Sequence, residues 1–312
     1  MAVPRRPLPL AFSLLAGAAL AQQAADPDFD TRVARPAYTH THPRAAIDES
    51  HQNFHTRGGR YKPLADLLQS DGYRVAAAPR FDSPSLHAVD LLVISNALGQ
   101  LVDGPQGPGR MEPAFTPAEC DAVRDWVRAG GALLLIADHA PFGEANAILA
   151  ERFGVEMGKG YVLDPKNFEG NETQIVFSET NRMLGSHAIL RGRNASERVR
   201  KVLSFTGQSL SVPPDAVALL KLSSSAVEAA DSEEAERVMK GETAGRSAQG
   251  RAQGIAMRFG KGRVVMLGEA AMFSAQIASF DGQSYKMGMN VAGNDDRRFA
   301  LNVMHWLSGS LK

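Results

Sequence analysis

The chain has few of the features that mark several common protein classes. It contains one cysteine, Cys120, among 312 residues, so no disulfide can form within it and its fold must depend on a buried core. Lysine and arginine number 34 together, as do aspartate and glutamate. Because there is no net charge to attract a polyanion, we do not expect nucleic acid as a partner.

Long apolar runs are also scarce, and the one of note lies at the amino terminus. It extends from about Leu8 to Leu20, follows Arg5 and Arg6, and ends in small residues before Gln22. This layout is typical of a secretory signal, and the run is too short to span a bilayer comfortably. We therefore expect a signal peptide over residues 1–21, a flexible leader over 22–44, and a periplasmic or secreted product with no transmembrane span after cleavage. An uncleaved anchor is the alternative.

Strand and helix patterns alternate through the rest of the first half. The runs "LLVIS" and "ALLLIA" are apolar throughout, as parallel strands buried on both faces need to be. Between them, "FTPAECDAVRDWVRAGG" predicts a helix with Thr116 as N-cap and Glu119 three residues later. This alternation predicts an α/β fold of three layers, with a mostly parallel central sheet and helices on both faces.

The second half is less regular. "GIAMRFGKGRVVMLGEAAMFS" predicts two strands joined by a Gly-Lys-Gly turn, and "NDDRRFALNVMHWLSG" predicts a terminal helix. Residues 223–252 are polar and lack an apolar period, which predicts an excursion on the surface. With no repeat and no clear linker, residues 45–312 are predicted to form a single domain.

Three stretches carry a resemblance to a known superfamily: "FTPAECDAVRDWVRAGGALLLIADH", "FGKGRVVMLGEAAMF" and "DDRRFALNVMHWL". They resemble the glutamine-amidotransferase-like (flavodoxin-like) superfamily, in the branch related to gliding-motility ABC-transporter accessory proteins and trehalose-utilisation-type domains. The resemblance implies the corresponding fold over roughly residues 45–310. Amidotransferases of this superfamily carry a cysteine on a tight turn after a strand, whereas Cys120 falls in the first turn of a predicted helix. We therefore do not expect a cysteine nucleophile.

Polar residues follow the ends of four predicted strands. Since ligands bind outside the carboxyl ends of parallel strands, we expect these residues to meet in one cleft. The predicted catalytic group is Asp48, Glu49, His51, His55, Asp138, His139 and Glu269. The predicted substrate-binding group is Asn53, Asn96, Gln276, Asn290 and Asn294.

Carboxylates and imidazoles in one cleft can divide the roles of acid and base between them. The pattern therefore favours an exported, hydrolase-like enzyme that acts on a small polar substrate such as a sugar derivative or an ester. A divalent metal such as zinc, held by His55, Asp138 and His139, is an open alternative, although no "HExxH" motif occurs. The other alternative is a non-catalytic envelope domain that binds a glycan or a protein partner.

Overall fold

The computed structural model describes residues 22–104, 107–280 and 283–312. The expected signal peptide, residues 1–21, lies outside the described residues. No helix in the described ranges combines the length and the apolar character needed to cross a membrane.

Within these ranges the chain alternates between strands and short helices. The helices are α1 Lys62–Ser70, α2 Ser83–Leu86, α3 Pro117–Ala129, α4 Phe142–Glu151, α5 Ala188–Arg191, α6 Ser232–Met239 and α7 Asp296–Leu307. The strands are β1 Gln22–Ala25, β2 Arg44–Ile47, β3 Arg74–Ala77, β4 Leu91–Ser95, β5 Leu101–Gly104, β6 Gly107–Met111, β7 Ala132–Ile136, β8 Tyr161–Leu163, β9 Phe168–Glu169, β10 Asn171–Ser178, β11 Lys201–Phe205, β12 Ala216–Lys221, β13 Val227–Ala229, β14 Arg246–Ser247, β15 Ala252–Phe259, β16 Gly262–Leu267, β17 Ala275–Phe280 and β18 Gln283–Gly288.

The largest sheet has seven strands in the order β12-β15-β16-β7-β4-β2-β3. The pairs from β16 to β3 are parallel, and β15 and β12 extend the sheet in antiparallel fashion. The predicted α/β class is confirmed, and the sheet is mixed: the predicted turn at Gly260–Lys261 reverses the chain between β15 and β16 and joins them as antiparallel strands. The smaller sheets among the described residues are antiparallel.

Helices pack on both faces of this sheet. Alternate residues of β4 enter two separate cores, with Leu91 and Val93 in one and Leu92 and Ile94 in the other, as the alternation of side chains along a strand requires. The first core contains the apolar residues of α1 and α7, and the second contains those of α3 and α4. Burying each such aliphatic side chain contributes about 1.5–3 kcal/mol, so both faces are stabilised by similar packing.

The predicted start and end of α3 are confirmed. Thr116 Oγ1 accepts a hydrogen bond from Glu119 N at 3.3 Å, and Glu119 Oε2 accepts one from Thr116 N at 2.9 Å. Glycine is required just after the helix, since a Cβ at Gly131 would lie 2.3 Å from the Trp126 ring. This capping box fixes Glu119 at the end of the helix that adjoins the strand ends.

The expectation of a flexible leader over residues 22–44 is corrected. Strand β1 pairs with β17 along its whole length, and the buried Asp26 continues the pairing through a bond from its N to Ala275 O at 2.8 Å. Further on, Ala37 N donates to Asp71 Oδ1 at 2.8 Å. Strand pairing and these backbone bonds attach the segment to the body of the fold.

The polar segment 223–252 also has internal structure. It contains β13, α6 and β14, and β13 pairs with β8 and β14 in a three-stranded sheet. Ala235 and Val238 of α6 pack on Leu163 and Ala229 in a small core. Only Ala235, Val238 and the partly buried Met239 of α6 contribute to this core, too few apolar residues to stand out in a polar segment.

A buried contact between a histidine and a carboxylate joins the beginning and end of the domain. His305 Nε2 lies 2.6 Å from Asp71 Oδ2, and both side chains are at most 2% exposed. Asp71 also accepts the backbone bond from Ala37, so one carboxylate links the residues after β1 to the ends of α1 and α7.

Replacing Asp71 by alanine is expected to lower the free energy of unfolding by about 3–5 kcal/mol, because it leaves the His305 imidazole buried without its partner. Urea denaturation of the two proteins measures this. The control is Asp30→Ala, which removes the exposed Asp30–Arg32 pair and should have no measurable effect. Equal stability of wild type and Asp71→Ala would contradict the prediction.

Candidate functional site

Four predicted residues follow the carboxyl ends of adjacent parallel strands. Asp48 follows β2, Asn96 follows β4, Asp138 lies two residues after β7, and Glu269 lies two residues after β16. Neighbouring strands lie about 4.8 Å apart, so Asp48 and Glu269, which are three strands apart, are separated by roughly 14 Å across the sheet. The residues share one rim, as predicted, but they form two groups along it.

The first group surrounds Asp48, whose side chain is buried. Its Oδ1 accepts a hydrogen bond from Ser50 Oγ at 2.9 Å, and its Oδ2 lies 2.8 Å from His51 Nδ1 and 3.1 Å from Asn53 Nδ2. Asn53 also binds backbone through Ser95 O and His51 N. The polar atoms of Asn53 are thus used within the protein, and its predicted substrate-binding role has no support in this geometry.

His51 lies between two carboxylates. Its Nε2 is 3.4 Å from Glu119 Oε1 on the far side from Asp48. Burial acts to lower the pKa of His51, but the hydrogen bonds and negative charges of Asp48 and Glu119 outweigh it, so this pKa is raised. With both ring nitrogens engaged as donors, His51 has no lone pair with which to act as a base.

The second group centres on Asp138 and Glu269. Asp138 N donates to Asn96 Oδ1 at 2.9 Å, and Asp138 Oδ1 accepts a bond from His139 N at 2.8 Å. Glu269 is fully buried, and its two oxygens accept hydrogen bonds from Ala271 N at 2.6 Å and Met272 N at 2.9 Å. The group is therefore held by backbone donors at the ends of two neighbouring strands.

The two carboxyls affect each other's protonation. Burial raises the pKa of Asp138, against the opposing effect of the His139 charge. Burial also raises the pKa of Glu269 well above its ordinary value, and the negative charge of Asp138 raises it further. Two close carboxylates do not both ionise readily in a buried site, and of the two it is Glu269 whose neutral form the surroundings favour more strongly.

Tyr61 closes this group from the side of α1. Its hydroxyl donates to Ala270 O at 3.0 Å, and its ring is fully buried. Burial raises the pKa of Tyr61 well above 10, and the charges of Glu269 and Asp138 add to the effect. Tyr61 was not among the predicted site residues, and Glu119 was predicted only as part of a helix cap, because neither spacing reveals a long-range contact.

The two remaining histidines of the predicted group differ in their surroundings. His55 is buried, with its ring centre 4.6 Å from that of Tyr61, and burial together with the Arg60 charge lowers its pKa to about 3. It is therefore neutral near pH 7. His139 is 27% exposed, stacks on Tyr161 at 4.5 Å, and places Nδ1 2.8 Å from Ala140 O.

The bond to Ala140 O fixes the tautomer of a neutral His139. A carbonyl oxygen only accepts hydrogen bonds, so Nδ1 carries the proton and Nε2 carries the lone pair. His139 Nε2 lies 4.0 Å from Asp138 Oδ1. An exposed imidazole with a free lone pair therefore stands beside a carboxylate, which is the arrangement a general base requires.

Other predicted residues lie apart from this pair. Glu49 accepts a bond from Arg57 N at 2.7 Å and lines a groove of about 470 Å³ beside α1.

Asn290 donates to Asp26 Oδ2 at 2.8 Å and to Gln276 O at 2.9 Å, and it lines a second groove of about 430 Å³. Asn294 bonds to Gly288 O and Asp296 N, which fits a role in starting α7. Neither groove is lined by Asp138 or Glu269.

The predicted metal ligands do not form a metal-binding group. Within the ranges that the structure describes, no three His, Cys, Asp or Glu side chains are arranged to hold an ion. His139 and Asp138 are adjacent, but His55 is directed toward Tyr61. Cys120 is buried in α3, and burial raises the pKa of its thiol to about 11, so it is not an activated nucleophile.

The raised pKa of His51 makes stability depend on pH. Its contribution is fully present below the unfolded-state pKa of about 6.5 and is lost as the pH rises through the higher folded-state pKa. The difference in unfolding free energy between wild type and His51→Gln should therefore shrink as the pH is raised above about 6.5, as measured by urea denaturation.

The control for this titration is His187→Gln. Burial lowers the pKa of His187 to about 4, so its contribution changes only below the unfolded-state value and should be constant over the same alkaline range. A pH-independent difference for His51→Gln would show that the imidazolium does not stabilise the fold.

Comparison with known proteins bears on the fold. No protein-family model matches the chain, and no curated protein matches it either. Among solved structures, the mmIFT52 N-terminal domain is similar, with 17% identity and a TM-score of 0.57 over 85% of this chain and 97% of that one. At this identity the similarity shows a shared fold alone.

Weaker similarity extends to two other kinds of protein. A ThuA-like protein from Bacteroides uniformis has 12% identity and a TM-score of 0.42, covering 90% of this chain and 95% of its own. A cytoplasmic protein of Salmonella typhimurium has 14% identity and a TM-score of 0.44, covering 86% and 99%, and a second one is also similar. These two proteins are described as cytoplasmic, in disagreement with the periplasmic or secreted location expected from residues 1–21, which is not proposed further.

Proposed function

We propose that the chain is a hydrolase-type enzyme that acts on a small polar substrate, such as a sugar derivative or an ester, at Asp138, His139 and Glu269. The observation that carries the proposal is the carboxyl pair at adjacent strand ends, in which burial raises both pKa values and the charge of Asp138 raises that of Glu269 further. Strongly shifted carboxyls of this kind are concentrated at functional sites. The exposed imidazole of His139 beside the pair supplies a base.

The roles follow from exposure and hydrogen bonding. His139 Nε2 and Asp138 Oδ1, 4.0 Å apart, both accept hydrogen bonds, so one water molecule can donate a proton to each. When that water attacks the substrate, its proton passes to Nε2, and the Asp138 carboxylate stabilises the resulting imidazolium. The imidazolium then protonates the leaving group. General base catalysis of this type contributes about 10²–10⁴-fold in rate.

Glu269 acts as a positioning residue in this proposal. It is fully buried and cannot reach a substrate. Since its proton is retained, it does not place a second negative charge beside Asp138, and the negative charge of the pair stays on the more exposed carboxylate. Its bonds to Ala271 N and Met272 N hold it in place.

We also propose that residues 45–312 form one domain of the glutamine-amidotransferase-like class. The parallel pairing from β16 to β3, with polar residues at the carboxyl ends of these strands, supports this assignment. The two cores on opposite faces of the sheet support it as well.

Phe54 favours a second candidate function, namely binding without catalysis. Its ring is 40% exposed beside the site, and the Arg60 guanidinium lies 3.6 Å from the ring centre. Exposed aromatic side chains often mark contact surfaces. In this alternative the same rim holds a glycan or a protein partner, and His139 has no chemical role.

The test is a screen of nitrophenyl esters and nitrophenyl glycosides against wild type, Asp138→Asn and His139→Gln. For any substrate that is turned over, His139→Gln should lower kcat by about 10²–10⁴-fold, and Asp138→Asn should also lower it. The matched control is Asp296→Asn. Asp296 is also a buried carboxyl whose pKa is raised by burial, and it accepts a hydrogen bond from Leu203 N, apart from the proposed site. Folded Asp296→Asn should keep its kcat.

Unchanged turnover in both site variants would contradict the proposal. If no ester or glycoside is hydrolysed and a glycan nevertheless binds, the binding alternative stands.

A further inference from the structure

The imidazole of His139 packs against a side chain from a different sheet. Tyr161, the first residue of β8, stacks on the His139 ring, with the ring centres 4.5 Å apart and the planes 18° from parallel. Aromatic rings stabilise each other in offset, near-parallel arrangements of this kind. Because the contact is with the face of the imidazole, the nitrogens at its edge remain available for hydrogen bonds.

One carbonyl oxygen joins the two side chains. Ala140 O is bonded to His139 Nδ1 at 2.8 Å, and it also accepts a longer, weaker bond from the Tyr161 hydroxyl at 3.4 Å. A carbonyl oxygen has two lone pairs and can accept both bonds. Burial raises the pKa of Tyr161, and the charges of Asp138 and Asp231 raise it further, so the hydroxyl keeps its proton and remains a donor.

The contact with Tyr161 is the one that ties the His139 ring to a distant part of the chain. Ala140 is the next residue in the sequence, so the bond from Nδ1 to its carbonyl moves together with the His139 backbone. The His139 side chain is also 27% exposed, so solvent borders the rest of the ring. Stacking on Tyr161 therefore restricts rotation of the imidazole more than its local bond can.

Tyr161 is held in turn by the sheet that contains the polar segment 223–252. Strand β8 pairs with β13, with Tyr161 opposite Ala229. The Tyr161 side chain packs on the small core of Leu163, Ala229, Ala235 and Val238. Since β13 and α6 supply three of these four residues, the segment that the sequence marks as a surface excursion reaches the proposed site through Tyr161.

A buried carboxylate fixes the position of β8 against β13. Glu228 is 3% exposed, and its oxygens accept bonds from Gly160 N at 3.1 Å and from Ser209 Oγ at 2.6 Å. Glycine is required at position 160, because a Cβ there would lie 2.2 Å from Ala229 O. This close approach of the two strands determines where the Tyr161 ring meets His139.

We propose that Tyr161 is a positioning residue for His139, and that the segment 223–252 holds Tyr161 in place for this role. Its ring keeps the imidazole in the orientation in which Nδ1 bonds to Ala140 O and the lone pair of Nε2 lies toward Asp138. The role rests on the proposed function, in which Nε2 is the base. Nε2 is 4.0 Å from Asp138 Oδ1, and one water can join these two atoms only while the imidazole keeps this orientation.

The experiment determines the tautomer of His139 from the ¹⁵N chemical shifts of its ring nitrogens. Spectra are recorded on the full chain at a pH of about 9, above the range in which histidines ordinarily titrate, and His139→Gln assigns the signals by their loss. Wild type should carry the proton on Nδ1. Tyr161→Phe keeps the ring and loses only the weaker bond to Ala140 O, so it should keep this tautomer.

Tyr161→Leu removes the ring and should distribute the proton over both nitrogens. Tyr161→Ile, whose branched side chain suits a strand, is a second variant without a ring and should give the same result. Thermal unfolding of each variant identifies those that are folded.

Kinetics separates positioning from a general loss of structure. For any ester or glycoside that wild type hydrolyses, Tyr161→Leu should lower kcat by about tenfold or more, because a misplaced base is inefficient. KM should change by less than about twofold, since Tyr161 does not contact the substrate in this proposal. Tyr161→Phe should retain kcat to within about twofold.

Tyr38→Leu is the matched control. Tyr38 is also a partly buried tyrosine with an aromatic contact, to Tyr73 at 5.0 Å, and its hydroxyl donates to Ser308 Oγ at 2.7 Å. It lies at the opposite edge of the sheet, where its N donates to Asp71 O just before β3 begins. This variant should lose stability and keep both the tautomer of His139 and kcat.

A wild-type tautomer in folded Tyr161→Leu or Tyr161→Ile would overturn the positioning role, as would a wild-type His139 that carries its proton on Nε2. Failure of the proposed function gives a different result. Hydrolysis that depends on His139 while the tautomer ignores Tyr161 would keep the hydrolase and remove the positioning role. A tautomer that depends on Tyr161, in a protein that hydrolyses no ester or glycoside, would do the reverse.

Discussion

Repulsion between two buried carboxyls, Asp138 and Glu269, limits how much negative charge the proposed site can hold. Parallel pairing of β7 and β16 brings the ends of two strands together, and the chain places an acid two residues after each of them. Burial disfavours the charged form of both groups. The neutral form is favoured more strongly at Glu269 than at Asp138, so the proposed function assigns the negative charge to Asp138, beside His139.

The other polar residues at the strand ends are of two kinds: some stabilise the fold, and others can contact a ligand. The Asp48 group secures the β2 loop to α3 through His51, which lies between the carboxylates of Asp48 and Glu119. By contrast, His139 bonds to Ala140 O through Nδ1 and is partly exposed. This difference, rather than the types of residue present, distinguishes a cluster that holds the fold together from one that can bind another molecule.

Sequence reasoning recovered the elements that depend on local or periodic signals. The apolar runs at β4 and β7 and the capping box of α3 were predicted because each signal lies within a few residues. The rim itself was predicted from the rule that parallel strands bring their carboxyl ends to one edge of a sheet. The antiparallel β15–β16 hairpin follows from its predicted turn, whereas strand order and the pairing of β12 with β15 could not be predicted because they depend on contacts far apart in the chain.

The roles of individual site residues could not be read from the sequence. His51 and His139 cannot be distinguished by their sequence context. In the structure the His51 ring contacts two carboxylates, whereas Nε2 of His139 keeps its lone pair, and only the three-dimensional contacts show this difference. Tyr61 and Glu119 were missed for the same reason, since each has an adequate local role in a helix.

Infrared spectroscopy of carboxyl groups reports the protonation state of Glu269. A protonated carboxyl has a C=O band distinct from that of a carboxylate, so a neutral Glu269 should contribute such a band near neutral pH. We expect this contribution to disappear in Glu269→Gln and to be retained in Asp48→Asn. A spectrum of Glu269→Gln identical to that of wild type in this region would mean that Glu269 is ionised, and the proposed sharing of one charge by the two carboxyls would be contradicted.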